Sequence, residues 1–195
     1  TDKESRFKLK QKDTDQLQLM LGFPAYNYDS PNLPALEILN NILGANMSSR
    51  LFINIREELG LAYSIRSGVS KYTDLGHLYI KAGLDTDNID QAITEIKNVV
   101  GNLSTGGVEK HEYKDAKTNI EGKMKLRMED SKSKAMWFGR RAVCREQLET
   151  PKEHLNKIKN TSKEEVDKIA KEVFDLDLMR IAVIGDTNKE LIKFL

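Results

Sequence analysis

Arg56 and Tyr63 are the two side chains whose types and spacing could do chemistry together. Arg56 falls at the end of an expected helix and Tyr63 at the start of the next expected strand. Between them runs Glu57-Glu58-Leu59-Gly60-Leu61-Ala62, in which Gly60 supplies a sharp reversal. That reversal brings a guanidinium and a phenol to the mouth of a sheet, where they could hold a peptide carbonyl or stabilise an oxyanion. On spacing alone a plainer reading leads. Arg56 pairs with a neighbouring acid, and Tyr63 packs in the core with its hydroxyl bonded.

The other reactive residue types are scattered. His77, His111 and His154 are far apart. A helical zinc motif needs two His four apart with a Glu nearby, and His111-Glu112 lacks the second His. All three are therefore expected to be ordinary surface or strand residues. Cys144 lies between Arg141 and Arg145, whose charges could lower its pKa, but no His is near it in sequence. A buried structural thiol is the expectation. Gly106-Gly107 marks a helix end, and no Gly-rich phosphate loop occurs. Residues 110–159 hold 14 Lys+Arg against 8 Asp+Glu. This excess is read as a solvated helical face ahead of a patch for an acidic partner, because aromatic interleaving is missing.

The elements that must position these residues follow from periodicity. Phe7 and Leu9 alternate with Arg6, Lys8 and Lys10, which permits a first strand. Leu17, Leu19, Leu21 and Phe23 fall on one face of a second strand, and Pro24 should end it or mark an edge. Asp29-Ser30-Pro31 starts a helix with Leu36, Leu39, Ile42 and Leu43 on one side and Gly44 as its stop. A second helix, SSRLFINIREEL, begins at a Ser cap. Residues 62–70 and 76–84 read as an antiparallel hairpin turning near Thr73-Asp74. Asp87 or Asn88 then caps a helix striped by Ile89, Ile93, Ile96, Val100 and Leu103. Residues 109–174 are nearly all helical, with one stripe of Tyr113, Ala116, Ile120, Met124 and Met128 and another of Ala135, Phe138 and Ala142. Ser162-x-x-Glu165 is a capping box, and 178–185 reads as a buried strand. Strands at both ends of the chain predict an α+β fold, a single mostly antiparallel β-sheet with helices packed on one face.

Composition bounds the rest. The chain has 195 residues, for which one domain is the better expectation, and a formal net charge of +1. So even a balance gives no reason to expect a nucleic-acid partner. One cysteine excludes an internal disulfide and favours a reducing compartment, so a cytoplasmic location is expected. No apolar run approaches the roughly 18 residues of a membrane span, so no membrane partner is expected. The start TDKESRFKLKQKD has no Met and no apolar leader, and reads as a piece of something longer.

The string LGANMSSRLFINIREELGLAYSI closely resembles the C-terminal repeat domain of the pitrilysin/insulinase-type zinc metallopeptidases, which include the mitochondrial processing peptidases. Gly44, Met47, Ser48, Ser49, Arg50, Leu51, Phe52, Arg56, Glu57, Gly60, Leu61, Ala62, Tyr63 and Ser64 carry the likeness. The upstream KDTDQLQLMLGFPA and the downstream order of elements are similar too, so the resemblance covers nearly the whole chain. It implies one domain over 1–195, the C-terminal half of a two-domain subunit in which paired domains close a clam-shell chamber. In such enzymes one domain carries H-x-x-E-H and a distant Glu, which hold zinc. The facing domain supplies an Arg and a Tyr spaced as Arg56 and Tyr63 are, and these contact the substrate backbone. Substrate positioning and transition-state stabilisation by Arg56 and Tyr63 are what the resemblance implies.

H-x-x-E-H is absent from the chain. The resemblance therefore makes it the non-zinc half, inactive alone, with zinc held by another domain and none by this one. Its expected partners are a zinc-bearing N-terminal domain or partner subunit and an extended peptide, with a homodimer as a further option. Two rivals stand beside this reading. One is a non-catalytic scaffold or core-type subunit of the same superfamily. The other is an unrelated α+β protein-binding module using the basic 110–159 face.

Overall fold

The computed structural model describes residues 4–144, 148–187 and 190–195. Five strands form one sheet: β1 (Phe7–Gln11), β2 (Leu17–Ala25), β3 (Ala62–Lys71), β4 (Gly76–Leu84) and β5 (Arg180–Gly185). Their order is β1-β5-β2-β4-β3. Only β1 and β5 run parallel; every other pairing is antiparallel. The α-helices are α1 (Leu33–Gly44), α2 (Ile89–Gly106), α3 (Lys110–Arg127), α4 (Ser131–Cys144), α5 (Pro151–Asn160) and α6 (Lys163–Val173). This is the expected α+β architecture.

Strand alternation decides which face is covered. Leu17, Leu19, Leu21 and Phe23 of β2 are buried beside Leu78, Ile80, Ala82 and Leu84 of β4 and Ile181 and Val183 of β5. Their partners across the register, Leu19 with Ala82 and Val183 for instance, share one side of the sheet. Against that side pack Leu36, Ile38, Leu39 and Leu43 of α1, the Ile89–Leu103 stripe of α2, and Val166, Ile169, Ala170 and Val173 of α6. Each such fully buried side chain contributes roughly 1.5–3 kcal/mol of transfer free energy. Phe174, just past α6, meets Phe23 edge-on at 5.5 Å. Among the described residues the opposite face of the sheet carries no helix, and Gln18, Arg66, Lys81, Arg180 and Ile184 stand exposed on it.

Several local expectations shift. The last strand begins at Arg180, two residues later than the run 178–185 suggested, and it is buried on one side only, since Ala182 and Ile184 are exposed. A continuous apolar run cannot tell one covered face from two. Pro24 lies where β2 still pairs with His77 of β4 but has outrun β5, whose last partner on β2 is Gly22. Its missing N–H therefore falls on an unpaired edge. The first helix begins at Leu33 with Pro34 in its first turn, a little later than Pro31 suggested. Asn88 takes the N-cap position of α2 as expected but makes no side-chain cap bond, and Asp85 caps the short 3-10 turn ahead of it, accepting from the Asp87 N–H. On α4 the predicted stripe of Ala135, Phe138 and Ala142 is exposed, and Trp137 and Arg141 are the buried pair. Arg141 lies over the Trp137 ring, 3.2 Å from its centroid.

Candidate functional site

The segment between α1 and β3 is built from local hydrogen bonds. Ser49 stands just ahead of the helical residues that begin at Arg50, but its hydroxyl donates back to the Asn46 carbonyl, and the Asn46 Oδ1 accepts from the Ser48 N–H and hydroxyl at 2.7 Å each. The following turn widens, and Phe52–Glu58 is wound as π-helix. The Leu59 N–H donates to the Asn54 carbonyl, five residues back. Such wide turns are rare and recur at functional sites. Only Ile55 of the seven is buried. Arg50, just before the π-helix, is a pin and not a site residue: its Nε and terminal nitrogen both donate to Glu112 of α3 at 2.7 Å. It also reaches the Gly107 carbonyl. The bidentate pair holds the Glu112 carboxyl below the ordinary range against the opposing effect of burial.

Arg56 sits in the last turn of the π-helix with about two-fifths of its side chain exposed. Its guanidinium lies 4.9 Å from the Phe52 ring centroid and 4.0 Å from Glu57. Gly60, at φ 62°, then reverses the chain, and the Leu61 N–H closes the reversal on the Ile55 carbonyl. Tyr63 owes its position to a β-bulge. Ala62 pairs with Leu84 and Ser64 with the adjacent Gly83, so Tyr63 is the extra residue of β3. By alternation from Ile65 and Ser67 it would face the helices. The bulge turns it outward beside Ser64, 56% exposed. The plainer reading of a core tyrosine is therefore not what the structure shows. Among the described residues neither side chain hydrogen-bonds the other. The chain thus sets two donors, a guanidinium fork and a phenol, at the adjoining ends of two packed elements.

One cluster escaped sequence reasoning. His154 is not a surface or strand residue. It is buried in α5 between two carboxylates, with Nε2 3.0 Å from Glu37 and Nδ1 3.4 Å from Glu149. Trp137 meets its ring edge-on, and Arg141 and Lys157 both pair with Glu149. Burial alone would lower the imidazole pKa, but the two acids outweigh it and hold it raised. The same contacts hold Glu37 and Glu149 low in spite of burial. His154, Glu149, Arg141 and Lys157 line a groove of about 1190 Å³ between α1 and α5. Glu37 is 117 residues from His154 in sequence, so no local signal could have found that pairing. His111 is exposed beside Glu109, and His77 lies between Tyr72 and Tyr79 on β4. The expectation for Cys144 turned on its thiol and on Arg145, which lie outside the described residues. Several basic residues of 110–159 are neutralised locally, Lys125 and Lys159 by Glu121 and Lys157 by Glu149.

Among the described residues no three His, Cys, Asp or Glu side chains are grouped to hold a metal ion. Nor is any described helix long and apolar enough to cross a membrane.

The chain matches known proteins in sequence and in fold. Residues 1–120 match the family described as the peptidase M16 inactive domain. An uncharacterized zinc protease of Bacillus subtilis is 32% identical over 168 residues, 86% of this chain and 41% of that protein. An uncharacterized zinc protease of Rickettsia bellii is 32% identical over 178 residues, 91% of this chain and 43% of that protein. The chain thus spans about two-fifths of the length of these curated relatives. In structure it is similar to a peptidase M16 inactive domain from Pseudomonas fluorescens, with a TM-score of 0.80 and 21% identity over 93% of this chain and 43% of that one.

Proposed function

From the premise that this chain belongs to the peptidase M16 family as its inactive-domain type, we propose that it is the substrate-binding half of a zinc-dependent endopeptidase. It pairs with a zinc-bearing domain, on the same polypeptide or on a partner subunit, and closes a chamber over an extended peptide. Zinc belongs to that other domain, because this chain's described donors do not fit a metal site. Arg56 and Tyr63 act on the peptide. The guanidinium fork donates to a backbone carbonyl and fixes the strand in register. The Tyr63 hydroxyl donates to the oxygen on which charge develops as the peptide bond is attacked. Both groups add hydrogen bonds and orientation; neither is the nucleophile or the base.

The observation that carries this reading is the β-bulge. It breaks the alternation of β3 at one residue and turns outward the one tyrosine that follows the Gly60 reversal. Bulges conventionally re-aim side chains next to active sites.

The test mixes this chain, zinc and the zinc-bearing half from the same source, and measures cleavage of an extended peptide. The chain alone should be silent and the mixture should cut. Tyr63→Phe should lower kcat by about 100-fold, the loss typical of one oxyanion donor. Arg56→Ala should lower kcat/KM by a similar factor. A mixture that cuts equally well with both variants overturns the roles of Arg56 and Tyr63. A mixture that binds peptide and never cuts gives the chain a scaffold role instead.

A further inference from the structure

The five strands contain six basic residues and no Asp or Glu. Lys71 alone acts on the helical side, where its charge helps hold Glu37 ionised. The other five, Lys8, Lys10, Arg66, Lys81 and Arg180, are exposed on the face that no described helix covers. Arg66 lies directly opposite Lys81 in the β3–β4 register. Like charges in directly opposed positions repel and weaken a sheet. Among the described residues no carboxylate offsets this cost, since none of the five makes an ion pair; Lys81 rests on the Tyr79 ring at 4.8 Å. The row runs on from Arg66 and Lys81 through Met20 and Ala182 to Lys8. Met20, Gly22 and Ala182 lie between them and carry no charge. Two basic borders thus flank an uncharged floor, and Ser64 and Tyr63 emerge at one end of it. The basic segment 110–159 is different, because acids within it neutralise it in part.

We propose that this open sheet face is the docking surface for an acidic stretch of the peptide substrate. Carboxylates laid across the floor meet cations on both borders, and relieve the Arg66–Lys81 repulsion. Because Tyr63 lies at the end of the same face, an acidic stretch held there leaves its neighbouring peptide bonds beside Arg56 and Tyr63. That last consequence rests on the function proposed above; the binding itself does not.

The experiment measures fluorescence anisotropy of a labelled twelve-residue Glu-Gly-Ser repeat with this chain, against its Gln-Gly-Ser counterpart and a twelve-nucleotide oligo-dT. The acidic peptide should bind about tenfold more tightly than the neutral one, and lose affinity as salt rises. The double change Arg66→Gln and Lys81→Gln should abolish that preference. The same double change at Lys132 and Lys134, exposed on α4, should leave it intact. The face variant should also melt no lower than the parent, because a repulsive pair is gone. Equal binding of both peptides overturns the proposal. So does tighter binding of the oligonucleotide, or an equal loss in the Lys132/Lys134 variant. Cleavage by the mixed halves separates the two ideas. Neutral peptides cut with no acidic preference sink the docking surface alone. Acidic binding by a mixture that never cuts sinks the peptidase reading alone.

Discussion

Tyr63 is placed by one extra residue, and Gly60 by one backbone angle. At φ 62° a side chain meets its own backbone, yet a Cβ on Gly60 would touch nothing else within 4 Å. Gly60→Ala should therefore cost only the conformational term, about 1–2 kcal/mol by urea unfolding. Gly60→Asn should cost less, since Asn tolerates this region. An alanine variant as stable as the parent would show that the reversal does not depend on this angle. Gly60 was legible in the sequence because a lone glycine between a helix and a strand has few other uses. The outward turn of Tyr63 was not. It depends on pairing with Leu84 and Gly83, which no reading of residues 56–64 contains. The His154–Glu37 contact was illegible for the same reason, since Glu37 comes from α1, far along the chain.

At the scale of elements, the apolar stripes of α1, α2, α3 and α6 were readable and that of α4 was not, while helix starts were read unevenly. Ser162-x-x-Glu165 forms the box as expected, with Glu165 N–H on the Ser162 hydroxyl at 3.2 Å. Thr150 with Glu153 and Glu109 with Glu112 form two more. Ser162→Ala should cost about 1 kcal/mol, read as a lower urea midpoint at unchanged slope. An unchanged midpoint would mean α6 is held by its apolar face alone. On α4 the sequence suggested small and aromatic residues, but the structure buries Trp137 with Arg141. An arginine reads as surface until its carboxylate, here Glu149, is known to be near. Glu112 shows how one residue joins elements, since it completes the α3 box and grips Arg50 ahead of the π-helix. Glu112→Gln keeps the shape and removes the charge. It should destabilise by roughly 2 kcal/mol, the usual worth of hydrogen bonds to a charged group. That loss should shrink as pH falls, because the parent carboxylate then becomes protonated too.

The whole molecule should show a stability plateau bounded by two kinds of group. Glu37, Glu112 and Glu149 are all held below the ordinary carboxylate value of 4.5. Such groups contribute stability that is fully present above their unfolded value and is lost as pH falls through the folded one. His154 has the opposite sign. Its imidazole is raised above the ordinary value of 6.5, so its contribution is complete below 6.5 and is lost as pH rises through the raised value. The melting temperature should therefore be highest between about pH 4.5 and pH 6.5, falling steeply on the acid side and gently on the alkaline side. His154→Gln separates the two limbs. It should cost roughly 3 kcal/mol near pH 6, because Glu37 and Glu149 lose the cation between them. It should also erase the alkaline limb while leaving the acid one, which the Arg50–Glu112 pair still sets. Calorimetry of parent and variant from pH 4 to pH 9 checks this. If both proteins decline alike above pH 7, the imidazole between the two carboxylates is not what links the α4–α5 arm to α1, and Arg141 and Lys157 hold Glu149 without it.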